Sequence, residues 1–221
     1  MQERVLTYKK ISLYLILFFV VWSIRELVIQ PVFISPLDDI AAAIIGQTIK
    51  LLVWTLPAVL LIRYFHNDMW IGLKEMFTTK PQWFKEAPIL LLVFLPFAQS
   101  LVHNGTIAIH PDFVPSSLIG AVVFVGITEE LVFRGFLLNV FLKRMKMQYA
   151  VALDAVLFLF IHYPIWIYRG LAISEIWAAS LVVPFISAFF AYSFIKTRNI
   201  FVPIVLHMIW NLLTIILFGS S

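Results

Sequence analysis

Residues Ser116 to Phe141 read SSLIGAVVFVGITEELVFRGFLLNVF. Apart from Glu129, Glu130 and Arg134 the run looks like the inside of a membrane. A hydrocarbon core about 30 Å thick needs about 20 apolar residues of helix, and this stretch supplies them. For a helix entering near Ser117, Glu129 lies about 18 Å along the axis at 1.5 Å per residue, close to mid-bilayer. Insertion scales put one central acidic residue at about 2.5–3.5 kcal/mol unfavourable, and here two stand in succession. Such a cost asks for a functional reason.

The whole chain supports the bilayer reading. It has 221 residues, 62% of them hydrophobic and 13% charged, with a mean hydropathy of +0.98. A soluble domain is about 45–50% apolar and about 25% charged. With 7 Trp and 21 Phe but only 8 Gly, the chain is expected to be helical, since barrel strands would alternate apolar and polar residues. The absence of cysteine rules out disulfides and thiolate metal ligands.

The expected fold is all-α, a polytopic transmembrane helix bundle of about seven spans. They fall near 11–30, 39–63, 87–103, 117–143, 148–168, 174–196 and 200–218. Neither a repeat nor a composition shift divides the chain, so residues 1–221 are read as a single integral-membrane domain. The first span follows Arg4, Lys9 and Lys10 but has no small-residue cleavage site, and is read as retained. Pro57, Pro96 and Pro184 lie inside spans two, three and six, where a bundle tolerates them.

Basic residues orient the bundle. Arg4, Lys9, Lys10, Arg63, Lys74, Lys80, Lys85, Lys143, Arg144, Lys146, Lys196 and Arg198 fall on one side, and Arg169 alone on the other. That asymmetry predicts a cytoplasmic N-terminus and an outer C-terminus. The net charge of +4 reports this topology and an affinity for anionic lipid headgroups; it requires no nucleic acid. In the longest connection, Trp70, Leu73, Met76 and Phe77 share one side of a helical pattern, which predicts a short interfacial helix anchored on lipid. Arg25, Glu26 and Lys50 are read as structural: the first two can reach headgroups, and Lys50 can snorkel or find Glu26.

Within span four, Glu130 and Arg134 are four residues apart and can form an ion pair on one face. Glu129 is rotated from Glu130 by about 100°, so the pairing leaves it over. A buried carboxylate without a dedicated partner is suited to exchanging protons near neutral pH. Two further polar sets follow: FLFIH, Phe158 to His162, with Asp154 one turn back on the same stripe, and HMIWN, His207 to Asn211. Lone polar groups in a bundle are more often interhelical glue, but acids, imidazoles and an amide on three helices can converge on one hydrated pocket.

EELVFR (Glu129 to Arg134), FLFIH (Phe158 to His162) and HMIWN (His207 to Asn211) match, in order, the EExxxR, FxxxH and HxxxN motifs of the CPBP family. The chain thus resembles the CAAX-processing and bacteriocin-processing membrane proteases, also called the Abi family, over about Gly120 to Leu213. Gly135 fits the fuller EExxxRG form. The resemblance implies an intramembrane endopeptidase with a family-like catalytic core at about 117–218, preceded by N-terminal spans at about 11–103. By the same resemblance, Glu129 activates the attacking water and His162 holds or polarises it. Glu130 and Arg134 would set the charge balance, and His207 with Asn211 would steady the oxyanion. The short, all-membrane form looks like the bacterial kind, which implies a bacterial plasma membrane. It also implies a hydrophobic or membrane-anchored peptide substrate, and roles in CAAX-type or bacteriocin processing and self-immunity.

No cofactor is favoured. Glu129, His162 and His207 are nonetheless an adequate zinc set, with the second glutamate left as base; the resemblance is read as a metal-free glutamate mechanism. A non-catalytic immunity or scaffold protein is the alternative reading. A proton-coupled transporter is another, although the polar set is confined to the second half. Measured from the basic side, Glu129 and His162 each lie about 21 Å deep and His207 only about 10 Å. Unless tilt or span ends absorb that difference, His207 stands behind the site. The cavity is expected to open toward the cytoplasm.

Overall fold

A long apolar run in lipid must satisfy its own backbone, and a helix does so within one segment. The computed structural model describes residues 2–81, 91–113, 115 and 118–219, and among these there is no strand. In chain order the principal helices are α1 (Tyr8–Ile34), α2 (Ile40–Tyr64), α3 (Leu73–Thr78), α4 (Leu95–Asn104), α5 (118–142), α6 (Met147–Tyr168), α7 (Ile173–Thr197) and α8 (Phe201–Phe218). Five of them, α1, α2, α6, α7 and α8, are long and apolar enough to cross a membrane. They point to an integral membrane protein. α5 has the length but carries three charges at its middle. The expected third span, near 87–103, falls partly on 82–90, outside the described residues; its described part contains α4.

α5 is the axis of the bundle. From Thr128 to Phe141 every residue is buried, and Val132, Phe133, Phe136, Leu137 and Leu138 are fully enclosed. A helix apolar on all faces belongs at the centre of other helices, so its charges are kept from lipid. The core around it draws on residues from Ile11 to Ile204, with Trp54, Phe133 and Phe158 in edge-to-face contact. The peripheral helices turn apolar side chains outward: Leu13, Ile16, Leu17 and Val20 on α1, and Ile173, Trp177 and Leu181 on α7.

Side chains tie the ends together. At one end Asn139 of α5 exchanges two hydrogen bonds of 2.9 Å with the backbone of Ile71, and Arg144 pairs with Asp68 at 2.6 Å. At the other, Asp38 caps α2 by accepting from the Ile40 and Ala41 amides, and Ser35 meets Tyr168 at 2.6 Å. The first end carries the described basic connections.

The interfacial helix exists, but it is more than a lipid anchor. α3 turns Met76 fully into the protein. Its Met76 carbonyl accepts from the Ile200 amide at 2.8 Å, Thr79 O accepts from Asn199 Nδ2 at 2.6 Å, and Glu75 pairs with Arg198. The connection 198–200 therefore runs beneath α3, and α8 begins below the basic rim. Of the prolines expected inside spans, Pro57 lies inside α2, just after wide turns at Leu51–Thr55, whereas Pro96 sits in the first turn of α4, where a missing N–H costs little. Pro184 is inside α7.

Candidate active site

Glu130 and Arg134 pair as the four-residue spacing predicts, at 3.0 Å and with both side chains fully buried. The pair is the centre of a larger set. Glu130 Oε1 also lies 2.8 Å from His207 Nδ1. Arg134 Nη2 donates to the Ser187 carbonyl and hydroxyl, both at 2.7 Å, and Arg134 Nε lies 3.6 Å from Asp154 Oδ2. Its guanidinium rests over the Phe158 ring at 4.7 Å. Phe158 is thus the wall on which Arg134 is mounted, and its carbonyl receives His162 Nδ1 at 2.8 Å.

Glu129 is not left over. Lys50 Nζ donates to its Oε1 at 3.0 Å, which corrects both the pairing expected for Lys50 and the confinement of the polar set to the second half. Glu26 is taken by Arg25 at 2.5 Å. A signal for this lay in the sequence. Three and four residues from Lys50 stand Gly46, Gln47, Val53 and Trp54, with no acid, so its partner had to come from another helix. Lys50 lies about 15 Å from the start of α2 and Glu129 about 17 Å from the start of α5, whereas Glu26 is about 12 Å from the end of α1. Depth favours Glu129.

His207 reaches the site. Its Nε2 lies 3.9 Å from Glu129 Oε2, while its Nδ1 holds Glu130. The ring stacks on Phe190 at 4.9 Å between centroids. The apparent mismatch in depth came from measuring at the basic end, where α8 starts beneath α3. From the other end, His207 and Glu129 each lie eleven residues in, about 17 Å.

A cavity of about 410 Å³ has Lys50, Glu129, His162 and Asn211 among its lining residues. It extends past Arg25, Gly46, Gly120 and Arg169 to Gly219. Each of these lies on its own helix toward, or just beyond, the end opposite the basic connections. Gly120 is nine residues from Glu129, so the cavity is about 13 Å deep. It reaches toward the end poor in basic residues, whereas the sequence reading expects an opening toward the cytoplasm. A smaller cavity of about 70 Å³, lined by Phe158, Phe190 and His207, shares His162 and Asn211 with it. Asn211 Nδ2 donates to the Ala121 carbonyl at 2.9 Å, which fixes the amide at this junction. Hence Glu129, His162 and Asn211 face the larger cavity and His207 the smaller, while Glu130 and Arg134 lie behind them.

The zinc set is not assembled. Among the described residues no three histidine, aspartate or glutamate side chains are grouped to hold a metal ion, and the Lys50 ammonium is bonded to the Glu129 carboxylate that such a site would use. The residues as placed do not fit the ion, so no step is derived through it. Asp154, Ser187 and Lys50 are the polar contributors that the motifs do not name.

Residues 111–213 match the family model described as type II CAAX prenyl endopeptidase Rce1-like. This stretch, which carries the three motifs, matches the CPBP family. The match supports a protease at the level of the family. No curated protein and no solved structure matches the chain.

Proposed function

We propose that the chain is an intramembrane endopeptidase that hydrolyses a hydrophobic or membrane-anchored peptide with water activated by Glu129. One observation carries this reading: Glu129 lines a cavity with His162 and Asn211, and its Oε2, enclosed 3.9 Å from His207 Nε2, has no hydrogen-bond partner. The carboxylate takes a proton from water as the oxygen attacks the peptide carbonyl. His162, whose Nδ1–H is committed to the Phe158 carbonyl, offers Nε2 to hold that water. The tetrahedral oxyanion is met by Asn211 Nδ2 and by the Nε2–H of His207 in its imidazolium form, held in place before reaction as such a site requires. The proton then passes to the leaving amine. Glu130 and Arg134, walled off behind Glu129, hold His207 and balance charge. A CAAX-type substrate fits the family.

The test compares membrane proteomes of cells carrying the wild type and Glu129→Gln, a change that keeps shape and hydrogen bonding but removes the base. A peptide present only with the wild type is expected; full biological function of the variant overturns the reading. Pairing of Glu129 with Lys50 favours the second reading, a scaffold whose charges are struts. That reading predicts no such peptide.

With the N-terminus in the cytoplasm, as the basic residues imply, and in the bacterial plasma membrane that the family resemblance implies, the cavity faces outward. The chain lacks cysteine, so single cysteines test this directly. A membrane-impermeant maleimide should label Ser174→Cys on intact cells and leave Lys146→Cys unlabelled.

A further inference from the structure

Lys50 lies outside the residues matched by the family model, and none of the three motifs includes it. We propose that Lys50 is the positioning residue of Glu129: its ammonium holds Oε1, leaving Oε2 as the oxygen that receives the water proton. The inference rests on the endopeptidase reading and adds a component from the N-terminal half.

Three observations carry it. The ion pair is enclosed, with side-chain exposures of 10% for Lys50 and 8% for Glu129. A lysine in lipid normally stretches toward the headgroups; this one is boxed in. Its Nζ lies 4.8 Å from the Trp54 ring centre and 5.5 Å from that of Trp22, and indole faces are the strongest aromatic partners for a cation. The box is itself fixed. Trp22 packs edge-on to Trp54 at 4.6 Å and donates its Nε1–H to the carbonyl of Ile161 at 2.9 Å, the residue before His162. The ammonium is therefore referenced to the helix that carries the imidazole.

The second oxygen completes the argument. Glu129 Oε1 is bonded to Lys50, whereas Oε2 is itself enclosed, has no hydrogen-bond partner and lies 3.9 Å from His207 Nε2, so the water it deprotonates must enter between the carboxylate and the imidazole. The last torsion of a glutamate is broad, so an untethered carboxylate would sample many orientations. Tethering one oxygen removes that freedom and directs the other toward the imidazole. A misplacement of about 1 Å in such a group can cost on the order of 100-fold in rate. Wide turns from Leu51 to Thr55, ahead of Pro57, begin at the next residue, and such irregular winding occurs frequently at functional sites.

The experiment uses the full chain reconstituted in phospholipid vesicles, with internally quenched apolar peptides as probes and kcat and KM measured separately. Lys50→Met, which keeps the length and volume of the stem, is expected to lower kcat by about 10- to 100-fold, the usual worth of a partner that orients a reacting group, and to leave KM within about twofold. Lys50→Arg, which keeps the charge, should recover at least half of the loss on a logarithmic scale. Melting followed by tryptophan fluorescence supplies a cycle of Lys50→Met, Glu129→Gln and the double variant. The double variant is expected to melt above the value predicted by adding the single effects, because it leaves no unpaired charge.

A wild-type kcat in folded Lys50→Met, with Glu129→Gln inactive, overturns the positioning role and leaves the endopeptidase intact. An additive melting cycle overturns the pair. An active Glu129→Gln, or a wild type that cuts no peptide, instead removes the endopeptidase reading and the positioning role with it; a coupled cycle then leaves Lys50 as a strut. If Lys50→Met does not fold, Lys50→Gln takes its place in every comparison.

Discussion

Glu129 and Glu130 are adjacent in the chain, and α5 turns them about 100° apart into different surroundings. Glu130 is fully buried, with one oxygen shared by Arg134 and His207. Beyond it lie Asp154 and Ser187, so that five polar groups from four helices form a closed set. Glu129 is 6% exposed, lines a cavity, and is tethered through one oxygen only. Two residues of one chemistry thus have different surroundings: one holds the bundle and the imidazole, the other lines the cavity, where the proposed reaction uses it. The lesson concerns cost. A dry ion pair is expensive to break because each partner left alone is a naked charge, and the same burial around a cavity strengthens any charge that acts on a bound peptide.

Four substitutions break or sharpen this contrast. Glu129→Gln should have the largest effect, a loss of about 10²–10⁴-fold in turnover, the range of a general base. Its melting temperature should also fall, from the stranded Lys50 ammonium, a fall that Lys50→Met partly reverses. Arg134→Met should act first on stability. It strands Glu130 and Asp154 and costs about 3–5 kcal/mol of stability, read as a fall in the tryptophan-fluorescence melting midpoint, with Glu130→Gln plus Asp154→Asn recovering part of it. The contrast would break if Glu130→Gln lost turnover as fully as Glu129→Gln while melting like the wild type. Asn211→Ala removes one neutral donor and should lower turnover by about tenfold, roughly 1.4 kcal/mol, with KM little changed. Arg198→Gln serves as the outer control. Its pair with Glu75 is nearly half exposed on both sides, so the change in stability should stay within about 1 kcal/mol.

Much of this was legible in the sequence. Apolar length marked α1, α2, α6, α7 and α8, because hydrocarbon leaves a chain little option but helix. The Glu130–Arg134 pair was legible because a four-residue spacing is local geometry. Three motifs placed Glu129, His162 and Asn211 on one site before any packing was known. Lys50 was harder. It had several carboxylates within plausible reach, and the choice among them turned on helix depth and on Arg25 claiming Glu26 first. The depth of His207 was left open by the sequence, because the start of α8 is held to α3 through Met76 and Ile200, a tertiary contact that no hydropathy pattern records.

The sequence by itself determined that this protein is a helical membrane protein with three charges inside one of its apolar segments, and which family its motifs resemble. Both follow from local rules: residue type, run length and spacing along a helix. Only the tertiary structure decided which carboxylate Lys50 holds, that the zinc set is not assembled, and toward which end the cavity reaches. Those depend on how helices distant in the chain are rotated and shifted against one another, and rotation and shift are set by packing over the whole bundle.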